Sequence, residues 1–228
     1  MIEHILPHSV AVSESFDDVP EPGVLHPEEA RLVENAVETR RREFTTARWC
    51  ARQALTTLGL PAVPILPGRH GAPQWPDGVL GSITHCAGYR AAVVARAPGT
   101  VMLGIDAEPD APLPEGVLEA IALPDEQRLV RKLRDTVPEV HWDRLLFSTK
   151  EAVYKSWYPF TGQRLEFEDA DISFDLDTRA FTARIRLPYR PPAGGPAIDR
   201  LEGRWLASKG LLVTAIAVTS ARLSGTGG

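Results

Sequence analysis

Val101-Met102-Leu103-Gly104-Ile105-Asp106-Ala107 is the stretch on which the fold turns. Its apolar run, interrupted by one glycine and closed by an acid, fits a buried β-strand. Two strand-like runs precede it, Gly81–His85 and Ala91–Ala95. Ahead of these, residues 61 to 81 are rich in proline and glycine and read as loop. Before that loop, the spacing predicts a helix from Glu28 to Leu58. Phe44, Ala47, Ala51, Ala54 and Leu58 fall three and four residues apart on it, one apolar stripe. Gly59 and Pro61 stop that helix.

Beyond the central strand, Pro109 to Pro124 is a connector with four prolines. Pro124 opens a helix carrying Leu129, Val130 and Leu133. A second helix covers Trp142 to Trp157 and is halted by Pro159. The rest reads as β: Asp171–Leu176, Ala180–Leu187, Gly203–Ala207 and Leu211–Thr219, with Lys209-Gly210 as a hairpin turn. The order is helix, strands, helix, strands. No close sequence repeat is evident, but the halves share a plan. An α+β protein of two similar subdomains is therefore expected, residues 1–100 and 101–222, with a flexible tail over 223–228. The interface between them is a favoured place for a ligand.

Composition bounds what such a chain can do. Of 228 residues, 43% are hydrophobic and 24% charged, which allows a sizeable core and excludes wholesale disorder. A net charge of −5 argues against general electrostatic binding of nucleic acid. No apolar run suffices for a membrane helix, and Met1 to Pro7 does not read as a secretory signal. Cys50 and Cys86 cannot make a disulfide framework and lie in no zinc-like pair. A soluble, cytoplasmic protein is expected.

Four segments carry candidate chemistry. Asp106 and Glu108 are two apart on a strand and project to one face. Two such carboxylates suit Mg²⁺, or are solvated acids where a strand enters a turn. In Lys150-Glu151-Ala152-Val153-Tyr154-Lys155, Glu151 and Lys155 share a helix face. They form a surface ion pair, or, since Leu145, Leu146, Phe147 and Trp157 bury the helix, supply a third carboxylate and lysines for phosphate. Arg40, Arg41, Arg42, Arg48 and Arg52 make a basic edge on the first helix, a solvated face or a phosphate grip. Ser82, Thr84 and His85 offer hydroxyls and an imidazole on one short strand. His85 and Cys86 face opposite ways, which excludes a Cys-His pair and leaves both cysteines as packed hydrophobes.

Taken together, these segments resemble the Sfp-type 4'-phosphopantetheinyl transferases, most closely the actinobacterial and enterobactin-synthase-associated branch. The likeness is carried by Arg40-Arg41-Arg42-Glu43-Phe44, Ala47-Arg48-Trp49-Cys50-Ala51-Arg52, and Gly71-Ala72-Pro73-Gln74-Trp75-Pro76 leading into Gly81-Ser82-Ile83-Thr84-His85-Cys86. It continues through Gly104-Ile105-Asp106-Ala107-Glu108 and Phe147-Ser148-Thr149-Lys150-Glu151-Ala152-Val153-Tyr154-Lys155, in unbroken order over residues 40–160.

The resemblance implies a pseudo-twofold pair of α+β subdomains with coenzyme A and Mg²⁺ in the cleft between them. It implies transfer of the phosphopantetheine arm of coenzyme A to a serine of an apo acyl or peptidyl carrier protein, releasing adenosine 3',5'-bisphosphate. Asp106, Glu108 and Glu151 match metal-binding acids. Glu151 is also the candidate base, and Lys155 and Lys150 match lysines on the pyrophosphate. Arg40, Arg48 and His85 match the residues at the 3'-phosphate and adenine end, and Ser82 and Thr84 lie on the phosphate-side strand. Where the family often has a lysine, this chain has Pro67 before Gly68, with Arg69 and His70 as candidates to fill in. Arg131, Lys132 and Arg134 could dock a carrier, or are a solvated helix face. A monomer is expected. The alternatives are a catalytically lapsed coenzyme A or carrier-binding module and a Mg²⁺-dependent nucleotide hydrolase.

Overall fold

A computed structural model describes residues 1–19, 24–191 and 197–221. The expected tail, residues 223–228, lies outside the described residues. The N-terminal half runs β1 (Ala11–Ser15), α1 (Pro27–Leu32), α2 (Glu38–Thr57), β2 (Val79–Cys86) and β3 (Tyr89–Arg96). The C-terminal half runs β4 (Thr100–Pro109), α3 (Val117–Ile121), α4 (Pro124–Thr136), α5 (Trp142–Thr161), β5 (Ala170–Asp175), β6 (Ala180–Tyr189), β7 (Ile198–Ser208) and β8 (Leu211–Thr219). All strand pairings within the sheets are antiparallel, in the orders β1-β3-β2 and β4-β8-β7-β6-β5. Each half thus sends out a strand, then a long helix, then two strands whose last member lies in the middle. The β5–β6 hairpin extends the second copy. The expected α+β class of two similar halves is borne out.

Alternation along the strands sorts the core. On β4, Leu103, Ile105 and Ala107 face a middle cluster that also takes Ala91, Val93 and Ala95 from β3. On its other face β4 buries Met102 with Leu145, Leu146, Val153 and Trp157 of α5. On β3, Ala92 and Val94 face Cys50, Ala51, Ala54 and Leu55 of α2. Between the two sheets β2 and β4 meet through side chains. The Ser82 hydroxyl accepts the Ile105 N–H at 3.1 Å, and the Thr84 hydroxyl accepts the Ala107 N–H at 3.0 Å.

Several boundaries differ from expectation. The helix expected over Glu28–Leu58 is two, α1 and α2, because Glu29 is folded back against Arg52. The proline-rich connector contains α3. Pro159 does not halt α5. It sits in the last turn, where the missing N–H costs a single helical bond, and the helix closes at Gly162 in the left-handed conformation (φ 68°). The Lys209-Gly210 turn is as expected, with φ of 54° and 72°.

A repeat invisible to overall similarity holds both long helices. Pro27-Glu28-Glu29-Ala30-Arg31-Leu32-Val33 and Pro124-Asp125-Glu126-Gln127-Arg128-Leu129-Val130 each open a helix with proline in the first turn and close a glutamate back on the preceding N–H. The buried Glu29 binds Arg52 of α2 at 2.8 Å and the Ile65 N–H at 2.8 Å. Glu126 likewise binds Lys150 of α5 at 2.8 Å and the Ile172 N–H at 2.8 Å. Both partners of the second pair are 1% exposed. No helix of the described residues is long and apolar enough to cross a membrane.

Removing one member of a buried pair strands the other, so Glu126→Ala is expected to destabilise the protein by about 3–5 kcal/mol. Glu126→Leu with Lys150→Met should recover only part of this, because two backbone N–H groups stay unsatisfied. Urea unfolding measures both. A Glu126→Ala variant within 1 kcal/mol of the parent, on the order of measurement scatter, would contradict the assignment.

Candidate active site

The site forms where α5 crosses β4. A Cβ built on Gly104 would lie 2.3 Å from the Ala152 carbonyl oxygen and 2.6 Å from the Ser156 nitrogen. Only hydrogen fits, and that lets the helix backbone sit directly on the strand. The helix runs against the strand direction. Arg144 therefore meets Glu108, and Lys155 meets Asp106 three turns later.

Asp106 is 4% exposed. Its Oδ1 accepts the Lys155 ammonium at 2.6 Å and the Thr84 hydroxyl at 3.2 Å. Its Oδ2 is buried with no hydrogen-bond partner among the described residues. A desolvated carboxylate oxygen left unpaired is costly, and a cation is the ligand that satisfies it. Burial lowers the tendency of Lys155 to hold its proton, but the charge and contact of Asp106, with Glu151 and Glu108 behind, more than reverse this. The ammonium stays charged.

Glu151 lies one turn before Lys155. Burial lifts its carboxyl above the usual range, Lys155 draws it down and Asp106 pushes it up again. Glu108 is also raised, by burial first and then by Asp106, against the pull of Arg144 at 2.9 Å. Among the described residues no three His, Cys, Asp or Glu side chains converge as a metal cage. The expected trio of Asp106, Glu108 and Glu151 is thus not drawn together into a cage, and Glu108 has one oxygen on Arg144. The donor set still fits Mg²⁺, which commonly takes one or two carboxylates and completes its shell with water and phosphate oxygens. The orphaned Oδ2 of Asp106 is the observation in favour.

A cleft of about 320 Å³ opens beside these acids, between the two halves. Arg40 and Arg48 of α2 line it, with His70 on the loop, Ser82 and His85 on β2, and Glu151 and Lys155 on α5. The Arg48 Nε donates to the Ile65 carbonyl at 2.8 Å, and its guanidinium packs 4.3 Å from the Phe44 ring centre. Burial pulls it down to about 10, countered by Glu29 and reinforced by Arg40 and Arg52, so it remains cationic at neutral pH. Arg40 lies 2.7 Å from the His85 Nε2. Three cations with one shared opening make a site for an anion.

Other expected residues fall elsewhere. Lys150 turns away and donates to Glu126 and to the Phe167 and Ala170 carbonyls at 2.7 and 2.9 Å, so its place is structural. Thr84 is buried beneath Asp106 rather than on the cleft wall. Arg69 is exposed and outside the cleft lining, whereas His70 lies edge-on to Tyr158 at 5.2 Å within it. Burial pushes the Cys50 and Cys86 thiols up to about 11 and about 12, as packed hydrophobes require. Sequence reasoning missed Arg144 and the stacked Tyr154–Tyr158 pair. The signal for Arg144 was its place seven residues before Glu151, on the same helix face.

Comparison with known proteins agrees with this layout. Residues 28–95 match the 4'-phosphopantetheinyl transferase N-terminal domain, and residues 102–193 the 4'-phosphopantetheinyl transferase superfamily. The chain is 53% identical to 4'-phosphopantetheinyl transferase Svp of Streptomyces mobaraensis, over 96% of this chain and 90% of that one. It is 47% identical to 4'-phosphopantetheinyl transferase PptT of Mycobacterium tuberculosis, over 95% and 97%. The chain belongs to the 4'-phosphopantetheinyl transferase family. A more distant relative, enterobactin synthase component D of Salmonella typhi, is 33% identical over 55% of this transferase and 51% of its own length. The resemblance drawn from the motifs is borne out at family level.

Burial, with the Arg40 charge, holds the transferase's His85 below its ordinary 6.5, while Glu43 opposes. A fold that disfavours the charged ring is at full stability above 6.5 and loses stability as pH falls below it. An NMR titration of the imidazole is expected to give a midpoint under 6.5, and a midpoint at or above it would contradict the neutral His85–Arg40 contact.

Proposed function

We propose that this enzyme moves the 4'-phosphopantetheine arm of coenzyme A onto a serine of acyl or peptidyl carrier proteins, with the cleft between its halves as the coenzyme site. One observation carries the reading. Glu151 and Lys155 of α5, the latter bonded to Asp106 of β4, line a cleft that Arg40, Arg48 and His85 line as well. The nucleotide end of coenzyme A carries a 3'-phosphate in addition to its diphosphate linkage. The α2 arginines are placed to hold that extra anion, away from the acids. His70, in the cleft lining and edge-on to Tyr158, is the candidate for the adenine contact in this chain, which has Pro67 where the family often has a lysine.

Lys155 is the cation for the diphosphate, and its bond to Asp106 keeps it charged and aimed. Asp106, Glu108 and Glu151 are the residues to hold Mg²⁺, which when bound neutralises charge on the diphosphate. Glu151 takes the serine proton as the serine oxygen attacks the phosphorus bearing the pantetheine. The bond to the nucleotide phosphate oxygen then breaks. A second hollow of about 240 Å³ shares Glu151 with the cleft; Tyr154, Leu165 and Phe167 line it together with Lys150, Arg164 and Glu166, a mixed wall for the amide-bearing pantetheine arm.

The two units are taken as residues 1–100 and 101–222, a division supported by family matches that end at 95 and resume at 102. Both supply walls to one cleft within one chain, which supports a monomer. Two buried free cysteines suit a reducing cytoplasm.

Incubating the protein with coenzyme A, Mg²⁺ and apo carriers, then weighing the carriers by mass spectrometry, tests the activity. No mass gain on any carrier of a broad panel would overturn it. Glu151→Gln is expected to lower turnover by about 10²–10⁴-fold with coenzyme A binding largely kept. Arg48→Ala should instead weaken coenzyme A binding by roughly 10–100-fold, the worth of a hydrogen bond to a charged group. Calorimetry separates the two, and an unchanged dissociation constant for Arg48→Ala would remove it from the site.

A further inference from the structure

Among the described residues, Arg144 is the one cation in contact with the β4 acids that lies outside the cleft lining. Its guanidinium spends three nitrogens on three partners. One terminal nitrogen donates to the Glu108 Oε2 at 2.9 Å, Nε donates to the Ala111 carbonyl at 3.1 Å, and the other terminal nitrogen donates to the Pro112 carbonyl at 2.9 Å. Arg144 and Glu108 are each 18% exposed, so the pair is well shielded from water. The neighbours on the first turn of α5 grip the same connector. The His141 N–H donates to the Asp110 carboxylate at 3.0 Å, and the Asp143 carboxylate accepts the Leu113 N–H at 3.1 Å.

We infer that Arg144 is a positioning residue of the divalent-cation site, acting through Glu108. The inference rests on the reading of Asp106, Glu108 and Glu151 as the cation-binding acids. Two nitrogens on the Ala111 and Pro112 carbonyls hold the planar fork in place, and the third fixes where the Oε2 of Glu108 lies. With Oε2 committed to Arg144, Glu108 has Oε1, which makes no hydrogen bond among the described residues, as the oxygen to offer a cation. Outer partners of metal-binding carboxylates orient them in this way, and losing one commonly weakens metal binding by 10–100-fold, on the order seen across metal sites. Lysine, a point charge on a flexible stem, keeps the attraction and loses the orientation.

Mn²⁺ is the probe, titrated by electron paramagnetic resonance into the full chain with coenzyme A present and no carrier, so that nothing turns over. Arg144→Ala is expected to weaken Mn²⁺ binding at least tenfold, about the lower limit for such partners, and Arg144→Lys by an intermediate factor. On a Glu108→Gln background, Arg144→Ala should add less than about threefold, since the residue through which it acts is already altered. An unchanged Mn²⁺ affinity in folded Arg144→Ala overturns the inference and leaves the acids' role intact. So does an equal further loss on the Glu108→Gln background, the mark of a merely structural role. Where Arg144→Ala does not fold, Arg144→Lys carries the same comparison. A parent protein that binds no Mn²⁺ overturns the reading of the acids and this inference with it.

Discussion

The contact of α5 with β4 at Gly104 is the constraint on which the site depends. A hydrogen in place of a methyl brings a helix backbone against a strand backbone. Side chains from both then reach one another directly, Lys155 to Asp106 and Arg144 to Glu108. Lys155 has to cover little distance to Asp106, and the acids around it hold its charge. The same closeness desolvates Glu151 and Glu108 and lifts both carboxyls. Proximity, charge and proton affinity in the site are therefore consequences of one missing side chain.

The basic residues of the two long helices divide by what their neighbours demand, and spacing alone does not reveal the division. Lys150 and Lys155 stand roughly 140° apart around an α-helix of 3.6 residues per turn. One faces the buried Glu126 and the other the acids of β4. Arg48 and Arg52 are a single turn apart on one stripe. Yet α1 covers only the second, which Glu29 holds, while the first opens on the cleft. A helical stripe specifies a face. The element laid over that face decides which cation is structural and which is available.

Legibility followed the range of the physical signal. The strand through Asp106, the helix beginning at Trp142 and the Lys209-Gly210 turn are set by local alternation, periodicity and positive φ, and each was readable. The break between α1 and α2 was not. It is imposed by Glu29 reaching a residue of the following helix. The sign of it lay in the shared Pro-acid-Glu-x-Arg-Leu-Val of residues 27–33 and 124–130, too short to stand out as a repeat. The acids and the α2 arginines could be named from motif order, but the grip of Arg144 on Glu108 could not. That grip depends on a connector whose course no periodicity describes.

The halves share a scaffold and diverge in charge. Each anchors its long helix through the same buried glutamate device, and each lays that helix on a strand of corresponding position. On β1 the acid is Glu14, whose Oε2 accepts the Tyr89 hydroxyl at 2.6 Å and the Ile2 N–H at 3.1 Å and whose Oε1 accepts the Met1 amino group. On β4 the corresponding strand keeps one carboxylate oxygen of Asp106 unsatisfied. The helices differ in the complementary sense: α2 brings arginines to the cleft and α5 brings Glu151 with Lys155. A duplicated plan with its charges reassigned sets an anion-holding wall opposite an acid-bearing one. Such a pairing turns one shared scaffold into two walls of opposite character without either half having to change its fold.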